Sequence, residues 1–228
     1  NDYPTLSYLQ TDGTLAPSCP IALSDELLLK GYKTMVTTRH VDERMITLQR
    51  QGTISFAMSS LGEEACAVAS AAALNNNDWM YPQYRELGIL FWREFPIQDY
   101  LHHMFCNGKD LLLGRQMPNH FGSRALNIVT VSSPIGTKIP HAAGCAYAMK
   151  IQGKKSIAIS YFGEGATSEG DFHAAPRVPL ARTVAEVNFD VGNPWGRTRD
   201  VISLGGAMSS LDSTFAAVAS LLLVTRTL

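Results

Sequence analysis

The strongest constraint on the fold comes from residues 156–171, which read SIAISYFGEGATSEGD. The run that ends at Phe162 is almost continuously apolar, a pattern typical of a parallel strand covered on both faces. Gly163 and Gly165 flank Glu164 directly after this run and permit a sharp turn. Ligands of open α/β sheets bind just beyond the carboxyl ends of such strands. The segment therefore predicts an α/β fold with a parallel sheet and a ligand site beside Glu164.

The same turn has residues that suit a metal-bound phosphate. Ser168 and Asp171 have the spacing of a capping box, which predicts a helix whose free N–H groups and positive dipole end favour phosphate. Glu164 offers a hard oxygen ligand for Mg²⁺, which usually binds one or two carboxylates together with phosphates. The segment is neither a Gly-x-Gly-x-x-Gly fingerprint nor a Walker A loop. For the isolated Gly-Glu-Gly, a plain strand-to-helix turn with an exposed glutamate remains the alternative.

Composition narrows the class of protein and its partners. The chain has 228 residues, of which 46% are hydrophobic and 17% charged, which favours one globular domain. Its formal net charge of -1 gives no electrostatic reason to expect binding to nucleic acid or to a membrane surface. The four cysteines form no C-x-x-C pair, which indicates reduced thiols in a reducing compartment.

The N-terminal half has the pattern of a helical region. Ser24 is placed to cap a helix, and a second helical stretch reaches Gln49. Ser60 and Glu63 have the spacing of a capping box before an alanine-rich run. Further helices are predicted over residues 64–74, 84–94, 97–106 and 140–149.

Several short segments occur together in one order. They are 50–56 (RQGTISF), 62–64 (GEE), 83–86 (QYRE), 114–118 (GRQMP), 132–134 (SSP) and 161–171 (YFGEGATSEGD). Through these segments, residues 3–175 resemble the α subunits of the E1 component of branched-chain 2-oxoacid dehydrogenase complexes, which use thiamine diphosphate. The SSP and RQMP segments look like the branched-chain rather than the pyruvate enzymes. The resemblance implies a thiamine diphosphate-binding fold, with a parallel sheet flanked by helices. For His120, a pocket role and a structural role both stay open.

The resemblance implies a role for individual positions in a cofactor site. Arg85 would pair with the diphosphate, for which a planar guanidinium is suited. Gln83 and Tyr84 would line the same site, while Ser133 and the backbone at Ile135 would contact the aminopyrimidine ring. The remaining implied positions lie around the diphosphate: Gly163, Glu164, Gly165 and Ala166.

Two cation sites are also implied. Glu164 would bind Mg²⁺, and Asn193, which follows an alternating run that is a candidate strand, would be a second ligand. A structural K⁺ would be held by Ser132, Pro134 and Thr137. The next residue is Lys138, where the family usually has glutamine. Its ammonium group would either take the place of this cation or repel it.

The resemblance ends near residue 175, so the chain is expected to be truncated or divergent beyond that point. Pro176 and Pro179 would interrupt the next helix of the family. Residues 176–228 contain no lysine, although lysines recur before them. We expect three parts: an N-terminal arm (1–22), a thiamine diphosphate-binding E1 α-like domain (23–175), and a divergent C-terminal segment (176–228) that either completes the sheet or is disordered.

The implied activity is oxidative decarboxylation of branched-chain 2-oxo acids with acyl transfer to lipoamide. The expected partners are an E1 β subunit, in an α2β2 heterotetramer, and the E2 lipoyl acyltransferase, in the mitochondrial matrix. In this family the glutamate that activates the cofactor comes from the β subunit, so no catalytic residue is assigned in this chain. Two alternatives stay open: a pyruvate-type E1 α subunit, and a catalytically inactive fragment that binds a partner.

Overall fold

The computed structural model describes residues 12–14, 16–17, 24–175, 184–188 and 202–204. The helices are α1 (Asp25–Arg50), α2 (Glu64–Ala72), α3 (Leu87–Trp92), α4 (Ile97–Met104), α5 (Lys138–Ile151) and α6 (Gly170–Ala174). The strands are β1 (Trp79–Tyr81), β2 (Ala158–Phe162), β3 (Val184–Asn188) and β4 (Ile202–Leu204), and a 3₁₀ helix (Glu164–Ser168) follows β2. Among the helices described, none combines the length and apolarity needed to cross a bilayer.

The four strands form one sheet in the order β1-β2-β3-β4. β1 and β3 both pair with β2 in parallel, whereas β4 pairs with β3 in antiparallel orientation. Met80 lies opposite Ile159, and Ile159 lies opposite Ala185. The carboxyl ends of β1 and β2 therefore meet at one edge of the sheet. The predicted α/β fold with a parallel sheet is confirmed at this level, and β3 and β4 of the C-terminal segment belong to that sheet.

The outer edge of β1 is covered by a stretch of loop. The N–H of Met80 donates to the carbonyl of Asn127, and the N–H of Val129 donates to the carbonyl of Met80, both at 2.9 Å. The bridge between Met80 and Ile128 is parallel. Because this stretch runs in the direction of β1, it carries residues 130–134 to the carboxyl edge of the sheet.

The main core lies between the N-terminal helices and the sheet. Val68 of α2, Leu90 of α3 and Ile159 of β2 are fully buried there. The alanine-rich α2 packs closely against α3, since a Cβ added at Gly88 would lie 3.0 Å from the side chains of Ala67 and Val68. A second cluster joins α5 to the end of β2 and holds both in place: Ile139, Ala143, Phe162, Ala166 and Ala175.

The two predicted capping boxes are wrong, whereas the cap at Ser24 is confirmed. The hydroxyl of Ser24 accepts the N–H of Leu27 at 3.3 Å, and α1 continues without a break to Arg50. Glu63 and Glu169 are the residues that precede α2 and α6, and neither helix has a side-chain cap. The N–H of Ser60 donates instead to the carboxylate of Asp42, at 3.2 and 3.3 Å. This contact with α1 holds Ser60 in a turn ahead of α2.

The helix predicted from residue 84 begins only at Leu87. The Oε2 atom of Glu86 accepts the backbone N–H groups of Gln83 at 3.0 Å and of Tyr84 at 2.9 Å. A side chain that bonds nearby backbone in this way competes with the helix. The result is a tight turn between β1 and α3, which holds Arg85 at the end of β1.

Candidate functional site

A pocket of about 300 Å³, including its mouth, lies at the carboxyl ends of β1 and β2. The turn after β1 supplies one wall, the end of β2 supplies the opposite wall, and the residue before α2 closes a third side. This is the edge where ligands of α/β sheets bind. The lining residues are Glu63, Gln83, Tyr84, Arg85, Glu86, Phe162 and Gly163.

Arg85 stands at the mouth of this pocket. Its Nη1 donates to the carbonyl of Ser59 at 2.6 Å, and its Nε lies 3.9 Å from Oε1 of Glu63. The side chain is 41% exposed, and Cζ lies 5.6 Å from the centroid of the Tyr84 ring. A guanidinium has five N–H donors. Among the described residues, Ser59 accepts the one hydrogen bond that Arg85 donates, which leaves donors for an anionic ligand, and the fork geometry suits phosphate.

The turn after β2 presents bare backbone to open space. Apart from the adjoining residues, no atom of the described part of the chain lies within 4 Å of the position that a Cβ would take at Gly163 or at Gly165. A diphosphate could therefore approach this backbone closely, which a larger residue would prevent. Glu164 begins the 3₁₀ helix between these glycines, but its side chain lies outside the described part of the structure. Ala166 is fully buried and packs in the second core cluster, so it supports the turn from below.

Two carboxyl groups in the pocket have raised pKa values. Burial, followed by the charge of Glu86, raises the pKa of Glu63 from 4.5 to about 8, although Arg85 opposes the change. Burial also raises the pKa of Glu86, against the backbone N–H groups that it accepts. Glu63 is therefore mostly protonated at neutral pH. A protonated Glu63 does not cancel the positive charge of Arg85, which stays available to an anionic ligand at the pocket mouth.

Gln83 connects the pocket to the loop formed by residues 130–134. Its Nε2 donates to the carbonyl of Ser132 at 3.1 Å, to that of Pro134 at 3.3 Å and, at the limit of a hydrogen bond, to that of Ser133 at 3.5 Å. Its Oε1 is buried and has no hydrogen-bond partner among the described residues. A buried acceptor of this kind is costly unless something donates to it. A ligand that carries an N–H or O–H donor beside Arg85 would satisfy it.

His120 positions Ser133 in this loop. Its Nδ1 lies 3.1 Å from the carbonyl of Pro118, which fixes the proton on Nδ1, and its Nε2 accepts a hydrogen bond from the Ser133 hydroxyl. His120 is 7% exposed and lies beside the pocket rather than in its lining. Ile135 is exposed and does not line the pocket. Thr137 contacts Pro134 through its backbone N–H, at 3.4 Å.

The sequence thus identified part of this pocket and missed another part. Four predicted cofactor positions line it: Gln83, Tyr84, Arg85 and Gly163. Glu63 and Glu86 were not predicted as site residues. Their place in the GEE and QYRE segments is the signal that could have identified them. Asn193 lies outside the described residues. Within the part of the chain that is described, no three His, Cys, Asp or Glu side chains group as metal ligands do, and the Mg²⁺ site stays a prediction.

Comparison with known proteins gives relatives of one kind. The chain is 45% identical over 193 residues to the protein named 2-oxoisovalerate dehydrogenase subunit alpha, mitochondrial, of Dictyostelium discoideum, covering 84% of this chain and 44% of the relative. It is 46% identical over 175 residues to subunit alpha 2 of the same name from Arabidopsis thaliana, covering 77% and 37%. For the Bos taurus subunit alpha the identity is 47% over 158 residues, covering 69% and 35%. The chain spans less than half the length of these relatives.

Residues 32–191 match the protein family described as Dehydrogenase E1 component. The matched range contains the whole pocket and extends beyond residue 175 into the segment that carries β3. Together with the identity to 2-oxoisovalerate dehydrogenase α subunits, this match confirms the resemblance that the short segments indicated. The chain belongs to the dehydrogenase E1 component family.

Proposed function

We propose that this chain acts as an E1 α-type subunit that binds thiamine diphosphate and Mg²⁺ in the pocket at the ends of β1 and β2. One observation supports the proposal above all: Gln83, Tyr84 and Arg85, which follow β1, face Gly163, which follows β2, across one pocket. Thiamine diphosphate, when bound, supplies the carbon nucleophile and the electron sink for decarboxylation of a 2-oxo acid. The chain's own part is to bind and orient it.

The pocket suggests how that binding is divided. Arg85 pairs with the diphosphate, and the backbone around Gly163 and Gly165 approaches its oxygens. The resemblance assigns contact with the aminopyrimidine ring to Ser133, which is held by His120, and to the backbone at Ile135, although neither lines the pocket itself. In this proposal Mg²⁺ is held by Glu164 and Asn193, two oxygen ligands of the type that this ion prefers.

We propose that the reaction needs a β partner. The family resemblance assigns the activating glutamate to an E1 β subunit, and the pocket opens at the sheet edge, where a second subunit could cover it. The assembly would be an α2β2 heterotetramer that passes its acyl group to the lipoamide of an E2 acyltransferase. A mitochondrial matrix location is supported by the relatives that are named as mitochondrial.

The proposed substrates are branched-chain 2-oxo acids, which the names of the relatives support. The test is turnover of the reconstituted α/β pair on 2-oxoisovalerate and on pyruvate, with thiamine diphosphate and Mg²⁺ present. Because each added methylene in an apolar pocket is worth roughly 10–200-fold in discrimination, we expect kcat/KM to be at least about tenfold higher for 2-oxoisovalerate. A preference for pyruvate would instead indicate the pyruvate-type subunit.

The same assay separates an active subunit from a fragment that only binds a partner. A stable α/β complex that neither turns over nor binds thiamine diphosphate would reject the proposed enzyme and leave the partner-binding role. The matched variants are Arg85→Ala, at the pocket mouth, and Arg124→Ala, at an exposed site in the loop before the 130–134 stretch. Only the first is expected to lower activity.

A further inference from the structure

Lys138 is a cation in an unfavourable place. It is the first residue of α5 and is only 3% exposed. The positive end of the helix dipole and burial both oppose a charged ammonium there. None of the ion pairs between described residues includes Lys138, and the first turn of α5 has no acidic residue. Its side-chain Nζ donates to the carbonyl of Thr130, so this loop carbonyl is the acceptor that stabilises the group.

The neighbouring carbonyls of the same loop also have donors from this chain. Nε2 of Gln83 lies 3.1 Å from the carbonyl oxygen of Ser132 and 3.3 Å from that of Pro134. Rings of carbonyl oxygens are the ligands with which proteins commonly hold K⁺. In this loop, however, the carbonyls of Thr130, Ser132 and Pro134 already accept N–H groups from Lys138 and Gln83.

We propose that the Lys138 ammonium and the Gln83 amide hold the 130–134 loop in place of an inorganic monovalent cation. The K⁺ site that the family resemblance implies at Ser132, Pro134 and Thr137 does not fit these contacts. A K⁺ ion bound there would compete with the amide of Gln83 for the carbonyl oxygens of Ser132 and Pro134. It would also lie near the buried ammonium of Lys138, which has the same sign of charge. None of the ion pairs between described residues places a carboxylate beside that ammonium to offset the repulsion.

The inference depends on the proposed function only through the place of this loop beside the cofactor pocket. The contacts of Lys138 and Gln83 with this loop lie within the chain, and they can be tested without cofactor. A test that omits thiamine diphosphate therefore keeps the two proposals apart: a failure to bind cofactor would reject the proposed function and leave this inference standing.

The decisive measurement is thermal unfolding of the full chain in choline chloride, NaCl and KCl at equal ionic strength. A ligand present at 100 times its Kd would raise Tm by about 5–10 °C for a chain of this size. We expect Tm in KCl to agree with that in choline chloride to within about 1 °C. A saturable rise in KCl, together with K⁺ retained by the chain after dialysis against choline chloride, would overturn the proposal.

A variant tests the role of the ammonium itself. Lys138→Gln removes the charge and keeps a polar side chain, so we expect a lower Tm in choline chloride that KCl partly restores. Lys154→Gln, at an exposed site after α5, is the matched control, and its Tm should equal that of the wild type in both choline chloride and KCl. A folded Lys138→Gln variant whose Tm is insensitive to KCl would contradict the proposal. If this variant does not fold, the Tm of the wild type in KCl and in choline chloride still tests the proposal.

Discussion

Replacing Glu63 by glutamine should stabilise the protein at alkaline pH. The residue is 8% exposed, and burial, followed by the charge of Glu86, raises the pKa of its carboxyl from 4.5 to about 8. Between these two pH values the folded chain keeps a proton that the unfolded chain releases. The stabilising contribution of the raised pKa is therefore complete below pH 4.5 and is lost as the pH rises through 8.

The size of the effect follows from the same numbers. At about 1.36 kcal/mol per pKa unit, a rise from 4.5 to about 8 corresponds to at most about 5 kcal/mol of stability lost on ionisation. The charge of Arg85, whose Nε lies 3.9 Å from Oε1 of Glu63, is already included in this pKa. Water that enters through the pocket mouth reduces the limit further, because it solvates the ionised carboxylate. We therefore expect Glu63→Gln to be about 2 kcal/mol more stable than the wild type at pH 9.

Urea unfolding of the two proteins at about pH 5, 7 and 9 measures this difference. The free energy of unfolding should differ little at the lowest pH, and the advantage of Glu63→Gln should grow as the pH rises. Glu43→Gln, at an exposed position on α1, is the control and should show a constant difference. If the difference in the free energy of unfolding between Glu63→Gln and wild type does not change with pH, the claim that Glu63 is buried in its protonated form is refuted.

Three further substitutions test the site and the packing around it. Arg85→Ala should weaken thiamine diphosphate binding by about 2 kcal/mol, or roughly 30-fold in Kd, in calorimetric titration, and unchanged affinity would remove Arg85 from the site. Gly163→Ala should lower affinity in the same titration without changing Tm, because its Cβ would enter open pocket space; a lower Tm would show that the turn itself is strained. Gly88→Ala should destabilise the chain by about 1–3 kcal/mol in urea, because its Cβ would lie 3.0 Å from α2 side chains. Its control is Gly144→Ala on α5, where no described residue outside the helix backbone lies within 4 Å and helix propensity predicts a gain of up to about 1 kcal/mol; equal effects of both would contradict close packing of α2 and α3.

The sheet edge that carries the pocket was predictable because its signal is local. The apolar run that ends at Phe162 forms β2, and the glycine after it forms one wall of the pocket, as its sequence indicates. Gln83 to Arg85 could be placed at the site only through the resemblance, since a three-residue strand such as β1 has too little periodicity to be recognised.

The helix starts were less predictable because distant or neighbouring carboxylates determine them. Asp42 of α1 takes the N–H of Ser60 and so prevents the capping box before α2. Glu86 takes two N–H groups of its own turn and delays α3. In both places the sequence has residues that suit a helix start, but a stronger charge-assisted hydrogen bond satisfies the backbone in another way.

The remainder of the site depends on long-range contacts that no sequence pattern specifies. The amide of Gln83 reaches Ser132, 49 residues further on, because the 127–129 stretch runs beside β1. The raised pKa of Glu63 needs its burial against Glu86, which spacing along the chain does not reveal. The replacement of an expected glutamine by Lys138 was visible in the sequence, but only the structure gives its acceptor.

Calorimetric titration of thiamine diphosphate into the reconstituted α/β pair, with and without Mg²⁺, tests the central claim most directly. If the pocket at the ends of β1 and β2 holds the diphosphate, binding should be saturable and dependent on Mg²⁺, and Arg85→Ala should weaken it whereas Arg124→Ala should not. A stable α/β complex that gives no binding heat, or equal affinity in the wild type and both variants, would contradict the claim.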